Sequence, residues 1–220
     1  MQFPRGPVTN KLVIINLVIA AVLLVPSWWN YAVMAGGFFP IRFSNVAVAF
    51  PDTGFLVPTY LTPLSAAFLH GGITHVLMNM LTLLLIGKMV ERVLGGGLYL
   101  SLYFLSAYAA SATEWLASFM ALPLSIDMMA PAIGASGAIS GVIGAYALLF
   151  PNNKPKAWGP IPAAYARPFH LTLAWVGLNL ALGFVGPGIG VAIAIWSHIG
   201  GFIAGLLLAR PMLLWRYRSA

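Results

Sequence analysis

Residues 68–92 read FLHGGITHVLMNMLTLLLIGKMVER. From Phe68 to Gly87 the only ionisable side chains are His70 and His75. The run then stops at Lys88, Glu91 and Arg92. Its twenty residues make about 30 Å of helix, the thickness of a bilayer's hydrocarbon core. A helix that is apolar all round belongs in a large protein core or in a membrane. The rest of the chain decides between those two.

Of 220 residues, 60% are hydrophobic and only 7% are charged. A soluble domain carries about 25% charged residues, so the expected solvent is the lipid bilayer. A disordered chain is excluded by the same arithmetic. No cysteine is present, which removes a disulfide framework, a thiol nucleophile and an Fe–S cluster. The net charge is +7, from 11 basic and 4 acidic residues. Those basic residues are scattered between apolar runs. That pattern points to membrane topology, not to nucleic acid.

Five further apolar runs follow from the same reading. The approximate spans are 12–35, 68–87, 98–113, 134–150, 169–185 and 191–209. The expected fold is an all-α membrane protein, a six-transmembrane-helix bundle in one domain, 1–220. The first run is too long, and too poorly followed by a cleavage site, for a signal peptide. Gly95, Gly96 and Gly97 are expected to make a tight turn, and Arg210-Pro211 to close the sixth span. Ten of the eleven basic residues lie at the termini, in the second-to-third connection or in the fourth-to-fifth connection. They include Arg5, Lys154, Lys156 and Arg167; Arg42 stands alone on the opposite side. Positive residues stay on the cytoplasmic side, so both termini are expected there, in a multi-pass protein of the cell membrane. One long external segment, 36–67, is apolar (Phe38, Phe39, Phe50, Phe55) but broken by prolines. It is expected to lie in the outer leaflet.

Polar side chains inside spans are costly and are functional candidates by default. The second span carries His70, His75 and Asn79, the fourth begins Gly134-Ala135-Ser136-Gly137, and the sixth carries His198. All three spans run inward in this topology. Counted from their cytoplasmic ends, Ser136 lies about 21 Å deep, His198 about 18 Å, His75 about 20 Å and Asn79 about 14 Å. Four polar groups on three helices thus share one layer, toward the outer half of the membrane.

Glycines bring two of these helices together. Gly137 and Gly141 form a G-x-x-x-G step, and His198, Gly201 and Gly205 share one helical face. Small residues let membrane helices approach closely, which would set Ser136 beside His198. A serine hydroxyl needs a base to become a nucleophile, and a neutral imidazole supplies one. Ser136 starts its helix, so its backbone N–H is free for a developing oxyanion. His75 and Asn79, four residues apart, can donate to the same oxygen. Asp52, Glu91, Glu114 and Asp127 are expected in connections or at span ends, so the reading is a Ser–His dyad with no carboxylate.

These residues resemble the rhomboid intramembrane serine proteases, in the prokaryotic form with a six-helix core. The likeness rests on G-x-S-G at Gly134–Gly137, on His198-Ile199-Gly200-Gly201 with Gly205, and on His70, His75 and Asn79 in the second span. Glu91-Arg92-Val93-Leu94-Gly95 is similar to the family's acidic motif. The resemblance implies Ser136 as nucleophile, His198 as general base, and His75 and Asn79 in the oxyanion hole. It also implies transmembrane protein substrates and entry from lipid near the second and fifth helices. No carboxylate–histidine ligand set stands in the expected spans, so no metal or cofactor is expected. Two positions depart from the family. Its Trp-Arg pair would fall at Leu61-Thr62, and an aromatic residue that stacks on the catalytic histidine in some members would fall at Ser140.

Each candidate also has a packing reading. Ser136 is small enough to be a helix contact, and His198 could be a satisfied interior histidine. His70 could cap or anchor the loop, and Glu91 could tie down the inner end of the second helix. His170 lies at the cytoplasmic start of the fifth span and reads as interfacial. Asn179, mid-span, could satisfy its amide on a backbone carbonyl and reads as packing. Two other functional classes stay open: a catalytically silent relative that escorts membrane helices, and a haem or ion site built from His70, His75 and His198. No H-E-x-x-H motif is present.

Overall fold

The computed structural model describes residues 6–44, 54–150, 162–186 and 193–218. Arg5, Phe50, Pro51, Asp52, Lys154, Lys156 and the first two residues of the sixth apolar run lie outside the described residues.

The first run is not one helix. Helix α1 (Pro7–Val22) starts on a proline, which has no N–H to lose at that position. Pro26 then opens a second helix, α2 (Pro26–Gly36). A proline there cannot donate into a continuing helix, and its ring disfavours helical backbone before it. The expected single span 12–35 is therefore corrected to two helices meeting at Leu23–Val25. Short 3₁₀ turns at Pro40–Phe43 and Thr59–Leu61 and a five-residue helix, α3 (Thr62–Ala66), lead into the second run.

That run is continuous from Ile73 to Leu94. It consists of α4 (Ile73–Thr82), one π turn (Leu83–Gly87) and α5 (Lys88–Leu94). The expected three-glycine turn shrinks to one residue. Gly95, at φ +76°, ends α5, and Gly96 and Gly97 already belong to α6 (Gly96–Phe119). Helix α6 therefore runs well beyond the expected 98–113. Helix α7 (Ser136–Leu149) is only 14 residues, about 21 Å, too short to cross the hydrocarbon alone. Helix α8 spans Ala163–Val185.

Helix α9 (Ile195–Arg216) runs straight through Arg210-Pro211, which corrects the expected stop at 209. Pro211 removes one hydrogen bond near the end of an exposed turn. The end beyond it is held from outside: Arg216 Nη1 donates to Val93 O at 2.9 Å.

The core centres on α7. Ala138, Val142, Ala145 and Ala147 are fully enclosed, together with Leu102 and Tyr103 of α6. The outer surface of the bundle is the reverse of a soluble protein's. Ile14, Val18, Leu81, Leu85, Leu178 and Leu207 all stand exposed. Such a surface is stable in lipid and not in water.

Candidate active site

Helices α4, α7, α8 and α9 set the site, and glycine fixes the spacing of α7 and α9. A Cβ on Gly201 would overlap Gly137 O, and one on Gly205 would overlap Gly141 O. A Cβ on Gly144 would overlap Phe202 O. Helices α7 and α9 thus touch backbone to backbone. A Cβ on Gly200 would overlap the Thr113 side chain of α6. Tight packing of this kind leaves no slack for a side chain at the contact.

The chain entering α7 is held below the surface. Ala132 N donates to Phe38 O at 2.8 Å, and Gly134 N donates to Ala66 O at 2.9 Å. Gly134 takes φ +123°, and a Cβ there would lie 2.7 Å from the His75 ring. Glycine is required at that position on both counts. The turn delivers Ser136 as the first residue of α7, where the N–H has no intrahelical partner.

Ser136 and His198 come together. Their Oγ and Nε2 atoms are 2.8 Å apart across 62 residues of sequence. The other ring nitrogen, Nδ1, lies 2.6 Å from Asn179 Oδ1 on α8. Asn179 Nδ2 donates to Trp175 O at 2.8 Å, so the oxygen of the amide must be the atom facing His198. An amide oxygen only accepts. His198 therefore carries its proton on Nδ1, and Nε2 is left to accept from Ser136.

His75 points at the same turn. Its Nδ1 accepts a 3.3 Å hydrogen bond from Gly71 N, which places the proton of the neutral ring on Nε2. Nε2 is one of the two ring atoms nearest Gly134. Asn79 is buried one turn further along α4, and its Nδ2 has no partner among the described residues. A buried amide donor without an acceptor is unusual and calls for an explanation. A cavity of about 40 Å³ opens beside Ser136, between Ala110, Pro63 and Ser197, and it is large enough for a water molecule.

The remaining expected residues lie elsewhere. The His70 ring packs edge-on against His75 at 5.1 Å, and its carbonyl accepts from Trp29 Nε1 of α2. His70 also lines a separate cavity of about 340 Å³ between α1, α2 and α4. Glu91 sits at the opposite end of the bundle. Its carboxylate accepts from Val8 N, Thr9 N and Thr9 Oγ1, capping α1. His170 is exposed on α8. With both ring nitrogens of His198 engaged, the three histidines do not form a ligand set, and among the described residues no group of three ionisable ligands is present.

Two expectations are corrected. Glu114 is not at a span end. It is wholly buried within α6, and its carboxylate accepts from Ile126 N at 3.1 Å and from Ser197 N at 2.8 Å. It therefore caps the start of α9 one residue before His198, where a negative charge suits the helix dipole. Asn179 is not only a packing residue. Its NH₂ does bond a backbone carbonyl, but its oxygen faces the imidazole. The sequence holds one weak signal: Trp175, Asn179 and Gly183 recur every four residues in a stretch, 173–185, where Asn179 is the one polar side chain.

The chain matches the Rhomboid domain over residues 58–215. It belongs to the rhomboid family. That makes it a helical membrane protein. Rhomboid-like protein 4 of Arabidopsis thaliana is 36% identical over 152 residues, 69% of this chain and 34% of that protein. Rhomboid protein 1, mitochondrial, of Saccharomyces cerevisiae is 31% identical over 153 residues, 69% of this chain and 41% of its own length. Rhomboid protease GluP of Bacillus subtilis is 34% identical over 151 residues, 69% of this chain and 26% of its length. The matches thus span between about a quarter and two fifths of these rhomboid relatives.

Proposed function

We propose that this rhomboid chain is a serine-type endopeptidase that cleaves transmembrane or membrane-proximal segments of protein substrates. The 2.8 Å contact between Ser136 Oγ and His198 Nε2 carries the reading. As Ser136 Oγ attacks the scissile carbonyl carbon, His198 Nε2 takes its proton. The carbonyl oxygen becomes an oxyanion and is met by the Ser136 N–H, by His75 Nε2–H and by Asn79 Nδ2, which has no partner among the described residues. His198 then gives its proton to the leaving amine, and the C–N bond breaks. Water, deprotonated by the same imidazole, splits the acyl ester and restores Ser136. No cofactor is needed for these steps.

Donors already aimed at the site stabilise the oxyanion without reorganisation, which is where such catalysis gains most. The basic-residue asymmetry supports six spans, with both termini cytoplasmic and the site opening to the external face.

Labelling the reconstituted full chain with a fluorophosphonate serine probe tests the reading. Labelling of the wild type and none of Ser136→Ala or His198→Ala is expected. A folded wild type that takes no label and cleaves no transmembrane test substrate would instead be a silent relative that only binds membrane helices.

A further inference from the structure

The rhomboid resemblance leaves His198 without its usual neighbour, because position 140 is a serine. Ser140 does nothing to the imidazole: its Oγ donates to Ser136 O at 2.7 Å, within its own helix. The imidazole is gripped from the other side, by α8. Asn179 Oδ1 lies 2.6 Å from Nδ1, and the Trp175 ring stands 6.4 Å from the imidazole, centroid to centroid. Trp175 is in turn stacked on Phe202, one turn below His198 on α9.

We infer that Asn179 is the positioning residue that completes a Ser136–His198–Asn179 triad, and that α8 rather than α7 orients the general base. The inference rests on the proposed Ser136–His198 chemistry and adds a residue to it. Asn179 is 1% exposed on a helix whose neighbouring side chains Leu178 and Leu180 face outward. Its amide is held at both ends. Nδ2 is spent on Trp175 O, so the amide cannot turn over without setting two acceptors against each other. The oxygen therefore stays on Nδ1–H. That bond fixes the tautomer in which Nε2 is a base, and it accepts more strongly as the ring becomes imidazolium. Asparagine takes the same place in cysteine proteases built on a Cys-His-Asn constellation.

Replacing Asn179 by Leu and by Asp separates positioning from packing. Asn179→Leu removes the acceptor and is close in shape. Asn179→Asp keeps an acceptor for Nδ1–H but cannot donate to Trp175 O. Positioning predicts that Asn179→Leu loses about 10²-fold in kcat, the low end of what a general base contributes, with KM little changed. It predicts no more than a modest fall in unfolding midpoint for that variant, because the His198 Nδ1–H loses its acceptor while the cavity stays filled. Asn179→Asp is expected to keep most of its kcat despite a lower midpoint. A purely structural role predicts the reverse order: Leu active, Asp impaired.

Nitrogen-15 histidine spectra of the same three proteins, with the His198 signals assigned through His198→Gln, read the tautomer directly. Protonated Nδ1 in the wild type, and a shift toward protonated Nε2 in Asn179→Leu, are expected. Near-wild-type kcat in Asn179→Leu, or an unchanged tautomer, overturns the inference. The spectra stand even where activity is absent, so a silent wild type would sink the protease reading and still decide the role of Asn179.

Discussion

Helices α7 and α8 both lie against α9, by opposite means. Helix α7 meets it through backbone: Gly137 O and Gly141 O sit where side chains on Gly201 and Gly205 would be. From Gly137 to Ala147 most of α7 is buried. Helix α8 turns most of its described side chains outward, including Leu173, Leu182, Phe184 and Val185. Toward α9 it presents a stripe, where Trp175 and Asn179 face His198 and Gly183 admits the end of Ile195. The contrast shows a division of labour. The proposed nucleophile is mounted on the most constrained helix, while the proposed base is mounted on α9 and faces Asn179 on the least enclosed one. A lesion in the first contact should hurt fold and chemistry together, whereas losing the acceptor at Asn179 should hurt chemistry far more than fold.

The largest effect lies at the nucleophile. Ser136→Ala should lose about 10⁶-fold in turnover, the loss seen on removing a serine-protease nucleophile, with the thermal midpoint unchanged. Turnover within tenfold of wild type would place the chemistry elsewhere.

The oxyanion donors come next. Removing one donor costs about 10²–10³ in rate, roughly 3–4 kcal/mol. Asn79→Ala should be that slow with little change in KM, and His75→Ala should resemble it. The double variant should lose less than the two single losses combined, because both donors serve one oxygen. If both residues merely packed α4, the single variants would unfold earlier yet turn over normally while folded, and parallel turnover and melting curves separate these outcomes.

The third test breaks the backbone contact. Gly205→Ala puts a methyl where Gly141 O stands, and neither backbone can yield without parting α7 from α9. Overpacking of this kind costs about 1–3 kcal/mol. Here turnover should fall along with the thermal midpoint, because the 2.8 Å Ser136–His198 contact spans the same interface. A stable but slow Gly205→Ala, or an unstable one with full turnover in the folded fraction, would uncouple spacing from chemistry.

What the sequence made legible follows from the cost of polarity in lipid. Ser136, His198, His75 and Asn79 stand out because nothing else polar belongs at their depth, and the glycine spacings say which helix faces can touch. Hydropathy says much less about where a helix ends. Pro26 and Pro211 both interrupt apolar runs, yet one starts a new helix and the other sits inside α9, since the outcome depends on whether neighbours hold the chain beyond it. The apolar run fades at Thr113 and so sets Glu114 at the end of its span, whereas α6 continues to Phe119 and buries the carboxylate at the start of α9. Asn179 was legible as a polar residue but not as a partner. Which way an amide faces depends on the rotation of α8, and periodicity in an almost wholly apolar helix barely records rotation.

The smallest expected effect lies beside Asn179. Leu178 is half exposed, on the outward side of α8. A buried Leu→Ala change costs about 2–5 kcal/mol, mostly because a cavity is left behind. At Leu178 no cavity can form, since acyl chains close over the shortened side chain. The change should stay within about 0.5 kcal/mol, as for substitutions away from the core, and turnover should stay within about twofold. Leu102→Ala, on the fully buried face of α6, is the control and should show the cavity penalty. The pair also tests the outward orientation of α8. A midpoint drop at Leu178 comparable with that at Leu102 would mean that this face of α8 is covered by protein, as the stripe of Trp175, Asn179 and Gly183 is.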